Sequence, residues 1–239
     1  MLHARRVARF RYAQFCPVAR AVEVLGERWT LLIGRELLIG PQRFSDLLRR
    51  LPGISTSVLA DRLASLEERG LVVRRALPPP APANVYELTE AGQGLKPLLY
   101  QLARFGLRFM DPPRPGDHSE PDWLRLGLEV FRRTGATPAH AFSIRIPDGE
   151  REVRIHVAGG PRGTVVSEAD APADTILRAA PGVVLGLVSG ALDPAAAASS
   201  GALRVEGDAA ALRELPALFD FSFAAPGSEP LRPGSPPPR

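Results

Sequence analysis

The chain is poor in the residues that most often announce chemistry. It has one cysteine, Cys16, in 239 residues, which excludes an intramolecular disulfide framework and a cysteine-based zinc site. Its four histidines, His3, His118, His140 and His156, lie scattered without metal-ligand spacing. They read as ordinary surface or core residues, and no metal is expected. No stretch approaches the roughly 18 apolar residues that read as a membrane span. The start, Met1–Phe10, lacks the uninterrupted apolar centre of a secretory signal. A cytoplasmic location with no membrane partner is therefore expected. There is no Gly-rich phosphate loop after a strand and no Gly-x-Ser-x-Gly elbow. With no nucleophile–base or cofactor signature, the chain reads as a non-enzyme without a cofactor. Lysine is also nearly absent: Lys96 stands alone, and arginine supplies almost all the positive charge.

That charge is unevenly spread. Residues 1–110 carry 17 Lys/Arg against 9 Asp/Glu, whereas residues 111–239 carry 13 against 17. A basic half joined to an acidic half suggests that only the first meets a polyanion. Proline is abundant, at 25 residues, and its clusters punctuate the chain. The reading is a first domain over 1–111, a linker over 112–121, a second domain over 122–224 and a disordered tail over 225–239.

In the first domain, Pro17 suits a first helical residue, and Val18, Val22, Leu25 and Trp29 follow at helical spacing. Thr30 can cap a second helix that ends at Gly40-Pro41. Phe44, Leu47, Leu48 and Leu51 make a third. Pro52-Gly53 is a tight turn, and Ser55 can cap a fourth helix that buries Leu59, Leu63 and Leu66 and ends at Gly70. Strands are expected over 71–76 and 85–88, around a Pro-rich loop, and Thr89 opens a long helix. Two short helices around a tight turn, followed by two strands around a loop, is the order of a winged helix-turn-helix.

A helix that enters the major groove must keep one face in the core and offer the other to base edges. At 100° per residue, Ser57, Ala60, Asp61 and Ala64 point outward, with Ser55 and Thr56 at the N-terminal end. These side chains are short, so the helix backbone can approach duplex DNA, and its first amides can face phosphate. Arg43, Arg49, Arg50, Arg62, Arg74 and Arg75 are candidates for phosphate contact. Each, taken singly, is equally readable as a solvated surface charge.

Several runs together resemble the HxlR-type regulators: Cys16-Pro-Val-Ala-Arg-Ala-Val-Glu-Val-Leu-Gly-Glu-Arg-Trp29, Arg35-Glu-Leu-Leu38, Arg43-Phe-Ser-Asp-Leu47, Leu51-Pro-Gly-Ile-Ser55, Val58-Leu-Ala-Asp-Arg-Leu63, Glu67-Glu-Arg-Gly-Leu71 and Tyr86-Glu-Leu-Thr-Glu-Ala-Gly92. The resemblance implies a homodimer, with the first helix and the long helix from Thr89 packing across the axis. It also implies that Ser55–Ala64 is the recognition helix and 72–88 the wing. Two departures stand out. Thr56 and Ser57 replace the basic residues that the family often places there, and the wing tip Pro78–Ala83 has no cation. In some members a cysteine at the position of Cys16 senses oxidants or electrophiles. Cys16 is thus a candidate redox sensor, with a small buried apolar residue as the alternative.

The second domain reads as one helix over 123–133, strands over 141–146, 152–157, 163–167, 175–178 and 203–206, a helix over 182–189 and a closing helix over 208–219. The run Asp174–Arg178, Pro181–Gly190, Ala191-Leu-Asp-Pro194, Gly201–Gly207 and Asp208–Leu218 resembles the end of a sterol-carrier-protein-like α+β domain. That resemblance implies a sheet covered by helices around an apolar cavity for a small hydrophobic, lipid-like ligand. Candidate lining residues are Ile144, Ile155, Val157, Leu177, Val184, Leu187, Leu215 and Phe219, which would otherwise fill a solid core. The expected function is a dimeric, sequence-specific DNA-binding regulator, modulated by a lipid-like ligand or by thiol oxidation. The rival readings are a lipid carrier that uses the winged helix only to dimerise, and a regulator whose second domain merely buttresses the dimer.

Overall fold

Leucine stripes at helical spacing build the first half and alternating strands the second, so the computed structural model falls into two units, residues 1–100 and 101–239. It describes residues 11–78, 83–110, 114–168 and 170–222. The expected tail over 225–239, the first ten residues, most of the wing tip and part of the linker lie outside the described residues.

The first unit runs α1 (Pro17–Leu25), α2 (Thr30–Ile39), β1 (Gln42–Arg43), α3 (Phe44–Arg50), α4 (Thr56–Glu68), β2 (Val72–Leu77), β3 (Ala83–Leu88), α5 (Glu90–Gln93) and α6 (Leu95–Gly106), with α6 running past its boundary. Ile33, Leu37, Leu47, Leu51, Leu59, Leu63 and Leu66 meet in one buried cluster. Thr30 is not the cap of α2. Trp29 holds that place at φ 79°, with no side-chain cap bond, a left-handed conformation that a bulky residue adopts only when packing enforces it. The long helix expected from Thr89 is broken. Thr89 caps only α5, its hydroxyl accepting from Gly92 N at 3.0 Å. Gly94 intervenes, and Pro97 has no N–H to return to Gln93. The strand β1 was not foreseen, because two residues are too few to show a period. It pairs antiparallel with β3, giving the order β1-β3-β2.

The second unit has α7 (Asp122–Phe131), β4 (Ala141–Asp148), β5 (Arg151–Ala158), β6 (Val165–Ser167), β7 (Thr175–Ala179), α8 (Pro181–Val188), α9 (Pro194–Ser199) and β8 (Leu203–Gly207). The sheet order is β6-β5-β4-β7-β8, and all neighbours are antiparallel except β4 and β7. The β4–β5 hairpin turns at Gly149-Glu150, one residue later than its Pro-Asp-Gly sequence suggests, because Asp148 still pairs with Arg151 and Gly149 supplies the positive φ of 61°. The helix α9 was missed. Asp193 caps it by accepting from Ala196 N at 2.8 Å. The expected closing helix over 208–219 is instead two 3-10 segments, Ala209–Arg213 and Leu215–Leu218. Pro216 cannot donate to Leu212, and the backbone falls back on i→i−3 bonds such as Glu214 N to Ala211 O at 2.8 Å.

Among the described residues, no helix is long and apolar enough to cross a membrane. No group of three or more His, Cys, Asp or Glu there could hold a metal.

Candidate nucleic-acid interface

The fourth helix takes its orientation from its buried stripe. Leu59, Leu63 and Leu66 are 0–1% exposed, which turns Ser55, Thr56, Ser57, Ala60, Asp61 and Ala64 to solvent. Ser55 is in extended conformation, and its hydroxyl accepts from Val58 N at 3.3 Å. Ser57 Oγ lies 3.1 Å from Ser55 Oγ. The turn before the helix uses Gly53 at φ 92°, beside the Trp29 ring.

The six candidate arginines separate into different roles. Arg50 is a correction. It is 4% exposed and points into the core, where its Nε donates to Glu36 Oε2 at 2.6 Å. Glu36, fully buried on α2, also accepts from Arg35 Nε at 2.8 Å. Arg50 is thus a counter-ion for a buried carboxylate and is withdrawn from phosphate. The signal was present: Glu36 stands between Ile33 and Leu37 on the inward side of an apolar helix, and such a charge requires a buried partner. Arg62 is only partly exposed. It forms an ion pair with Glu27, and its Nε donates to Arg28 O at 3.4 Å. It therefore fastens α4 to the corner between α1 and α2. Arg69 Nη2 adds a second tie, donating to Glu23 O at 3.2 Å. Neither tie was anticipated, since both link residues more than 30 positions apart.

Arg43, Arg49, Arg74 and Arg75 are exposed. Arg43 precedes α3 and pairs with Val85 of β3, while Arg75 pairs with the same Val85 from the other side. The short strand β1 thus brings Arg43 into line with the wing. Arg75 Nη2 lies 2.5 Å from Glu87 Oε1, leaving Arg74 the less encumbered of the two. Cys16 caps the start of α1, half-buried and with no side-chain cap bond. Arg20 donates to Glu23 at 2.8 Å, and with the Tyr12 amide it holds the Glu23 carboxyl below its ordinary value. The helices flanking the fourth-helix unit carry exposed apolar side chains: Val18 and Val22 on α1, and Leu98, Leu102 and Phe105 on α6.

In the second unit, all eight candidate cavity residues are 0–2% exposed and belong to one hydrophobic core, together with Phe142, Ile146 and Leu212. Of the eight, Leu187 also borders a surface pocket of about 420 Å³, beside Leu192, Leu212, Pro216, Asp193 and Arg213.

Comparison with known proteins gives two matches. Residues 24–114 match the family model described as HxlR-like helix-turn-helix, and residues 133–220 match that of the SCP-2 sterol transfer family. Over 101 residues, the chain is 38% identical to the HTH-type transcriptional regulator YvaP of Bacillus subtilis, covering 42% of this chain and 94% of that protein. It is 36% identical over 98 residues to the HTH-type transcriptional regulator YodB of the same organism, covering 41% of this chain and 88% of YodB. The solved structure of the reduced form of YodB aligns with 42% of this chain and all of its own, at 34% identity and a TM-score of 0.37.

Proposed function

The chain belongs to the HxlR-like helix-turn-helix family of transcriptional regulators, and on that footing we propose that it is a dimeric, sequence-specific DNA-binding regulator whose α4 enters the major groove. The observation that carries this reading is the outward face of α4. Short side chains follow a Ser55-capped N-terminus, and no long side chain stands between the helix backbone and a base edge. Ser55, Thr56, Ser57, Ala60 and Asp61 face the bases. Arg43, Arg49, Arg74 and Arg75 neutralise flanking phosphates, and Arg62 holds the helix in place. Dimerisation uses the exposed apolar residues of α1 and α6. A two-fold dimer then occupies a pseudo-palindrome with half-sites about one helical turn apart, or a multiple of that.

The test is selection from sheared genomic DNA at about 150 mM salt, where nonspecific phosphate binding is suppressed. Enrichment of a recurring pseudo-palindrome supports the reading. No enriched site, from a folded dimer in reducing and oxidising buffer alike, sinks it.

The match of residues 133–220 to a sterol transfer family favours a second reading of that domain, in which it binds a small hydrophobic ligand and alters operator affinity. Regulation of this kind requires the liganded and free forms to differ in DNA affinity. Lipids extracted from the purified chain, with operator affinity measured before and after their removal, decide between this role and a buttress. Thiol oxidation at Cys16 is the other candidate input. Diamide should change operator affinity, and Cys16→Ser should abolish the change.

A further inference from the structure

The outward face of the second unit's sheet holds four arginines in one row. Arg154 of β5 pairs with Arg145 of β4, Arg145 with Arg178 of β7, and Arg178 with Arg204 of β8. Their chain neighbours Ile144, Ile146, Ile155, Leu177 and Leu203 are core residues. Alternation along each strand therefore sends the four guanidinium groups to the opposite face. With strands about 4.8 Å apart, the four positive charges start within roughly 15 Å of one another. Like charges directly opposite on neighbouring strands repel.

Among the described residues, carboxylates answer only part of this charge. Glu152 accepts from Arg178 at 2.8 and 3.0 Å and from Arg154 at 3.2 Å, and Arg154 also reaches Asp170 at 3.1 Å. Burial alone would raise the Glu152 carboxyl, but the hydrogen bonds from Arg178 and Arg154 outweigh it and hold the group below its ordinary value. It is therefore a fixed anion, already committed. Arg145 Nε is shielded from water and has no hydrogen-bond partner among the described residues. The same is true of His156 Nδ1, two residues from Arg154 on the same face of β5. Arg204, exposed on the edge strand β8, makes no ion pair among the described residues. A shielded guanidinium nitrogen without a partner on Arg145, two strands from the unpaired, exposed Arg204, is a donor set that an oxyanion would satisfy.

The size of the anion follows from the surroundings. Residues 101–239 carry 15 Lys/Arg against 17 Asp/Glu, so this unit does not attract a polyanion from a distance. Glu152, Asp170 and Glu206 interrupt the face and would repel a continuous phosphate backbone or an acidic peptide. A compact oxyanion fits between guanidinium forks without meeting them, and those forks match phosphate oxygens bidentately. We infer that this sheet face binds a compact phosphate group, of the phosphomonoester class, with Arg145 and Arg204 as its principal donors, beside the Glu152-bound Arg178. The inference does not depend on the DNA-binding reading.

The test uses the full chain at about 150 mM chloride, which screens weak surface attraction. Inorganic phosphate and glycerol 3-phosphate are titrated by calorimetry, and vesicles of phosphatidic acid are compared with phosphatidylcholine by flotation. Saturable phosphate binding with Kd below about 10 mM is expected, weakened roughly tenfold or more by Arg145→Gln with Arg204→Gln. The exposed Arg213→Gln should leave it unchanged. Binding of the soluble phosphates identifies a free phosphate ester. Flotation with phosphatidic acid alone, lost in the double variant, identifies a lipid headgroup. Either supports the inference. If the double variant fails to fold, Arg204→Gln alone, on the exposed edge, should still weaken binding several-fold. No saturable binding of any probe, equal loss with Arg213→Gln, or an arginine-dependent affinity for duplex DNA without phosphate binding overturns it.

Discussion

The two units place arginine in opposite settings. In the first, a helical face of short residues shares its unit with exposed arginines, and one arginine, Arg50, is drawn inside to neutralise Glu36. In the second, the large hydrophobic core is made of apolar side chains, and four arginines stand in register on the outer sheet face. Periodicity explains the contrast. A helix turns 100° per residue, so a Leu stripe leaves a wide polar arc, and a residue at the arc's margin such as Glu36 can fall inward. A strand alternates strictly, so Arg145 between Ile144 and Ile146 has no choice of side. A basic residue count alone therefore says little about anion contact.

The comparison can be broken most sharply at Glu36. Removing one partner of a buried ion pair leaves the other uncompensated, so Glu36→Leu should cost roughly 3–5 kcal/mol, and adding Arg50→Met should restore much of it. Trp29 and Trp123 lie in different units, so single-Trp variants followed by fluorescence in urea can report each separately. Loss confined to the Trp29 transition is expected, and an unchanged transition would show that Glu36 is dispensable. Next come the cores. Leu63→Ala in the first unit and Leu177→Ala in the second should each cost roughly 2–5 kcal/mol, each in its own transition.

The surface changes are smaller. Arg74→Ala with Arg75→Ala should weaken operator binding and lower the slope of log affinity against log salt by about 2, since each phosphate contact contributes about 0.9. An unchanged slope would remove these residues from the phosphate contacts. Ser55→Ala should cost about 1 kcal/mol through the lost cap of α4, read in the Trp29 transition. Retained stability would show that the bond to Val58 contributes nothing net.

Much of this was legible beforehand because it is local. Ser55 caps a helix wherever its hydroxyl can reach the third amide onward, and the stripe of Leu59, Leu63 and Leu66 can face only one way. Most of the helices and strands in both units follow from such patterns, although α9 did not. Where local signals competed, the reading slipped. Proline at 97 and 216 cut helices that periodicity alone would have continued, and the two-residue strand at Gln42–Arg43 acquires an identity only from its partner β3.

By itself the sequence determined the outward face of α4, the basic first half and the alternation that puts Arg145, Arg154, Arg178 and Arg204 on one side of their strands. Local stereochemistry and burial suffice for those. The tertiary structure alone decided that Arg50 belongs to Glu36, that Arg62 holds the helix instead of pointing away from it, and that the four strand arginines stand opposite one another. That last point depends on β4 pairing parallel with β7 across some 30 intervening residues. Register at that separation is set by how the whole core closes, which no local pattern encodes.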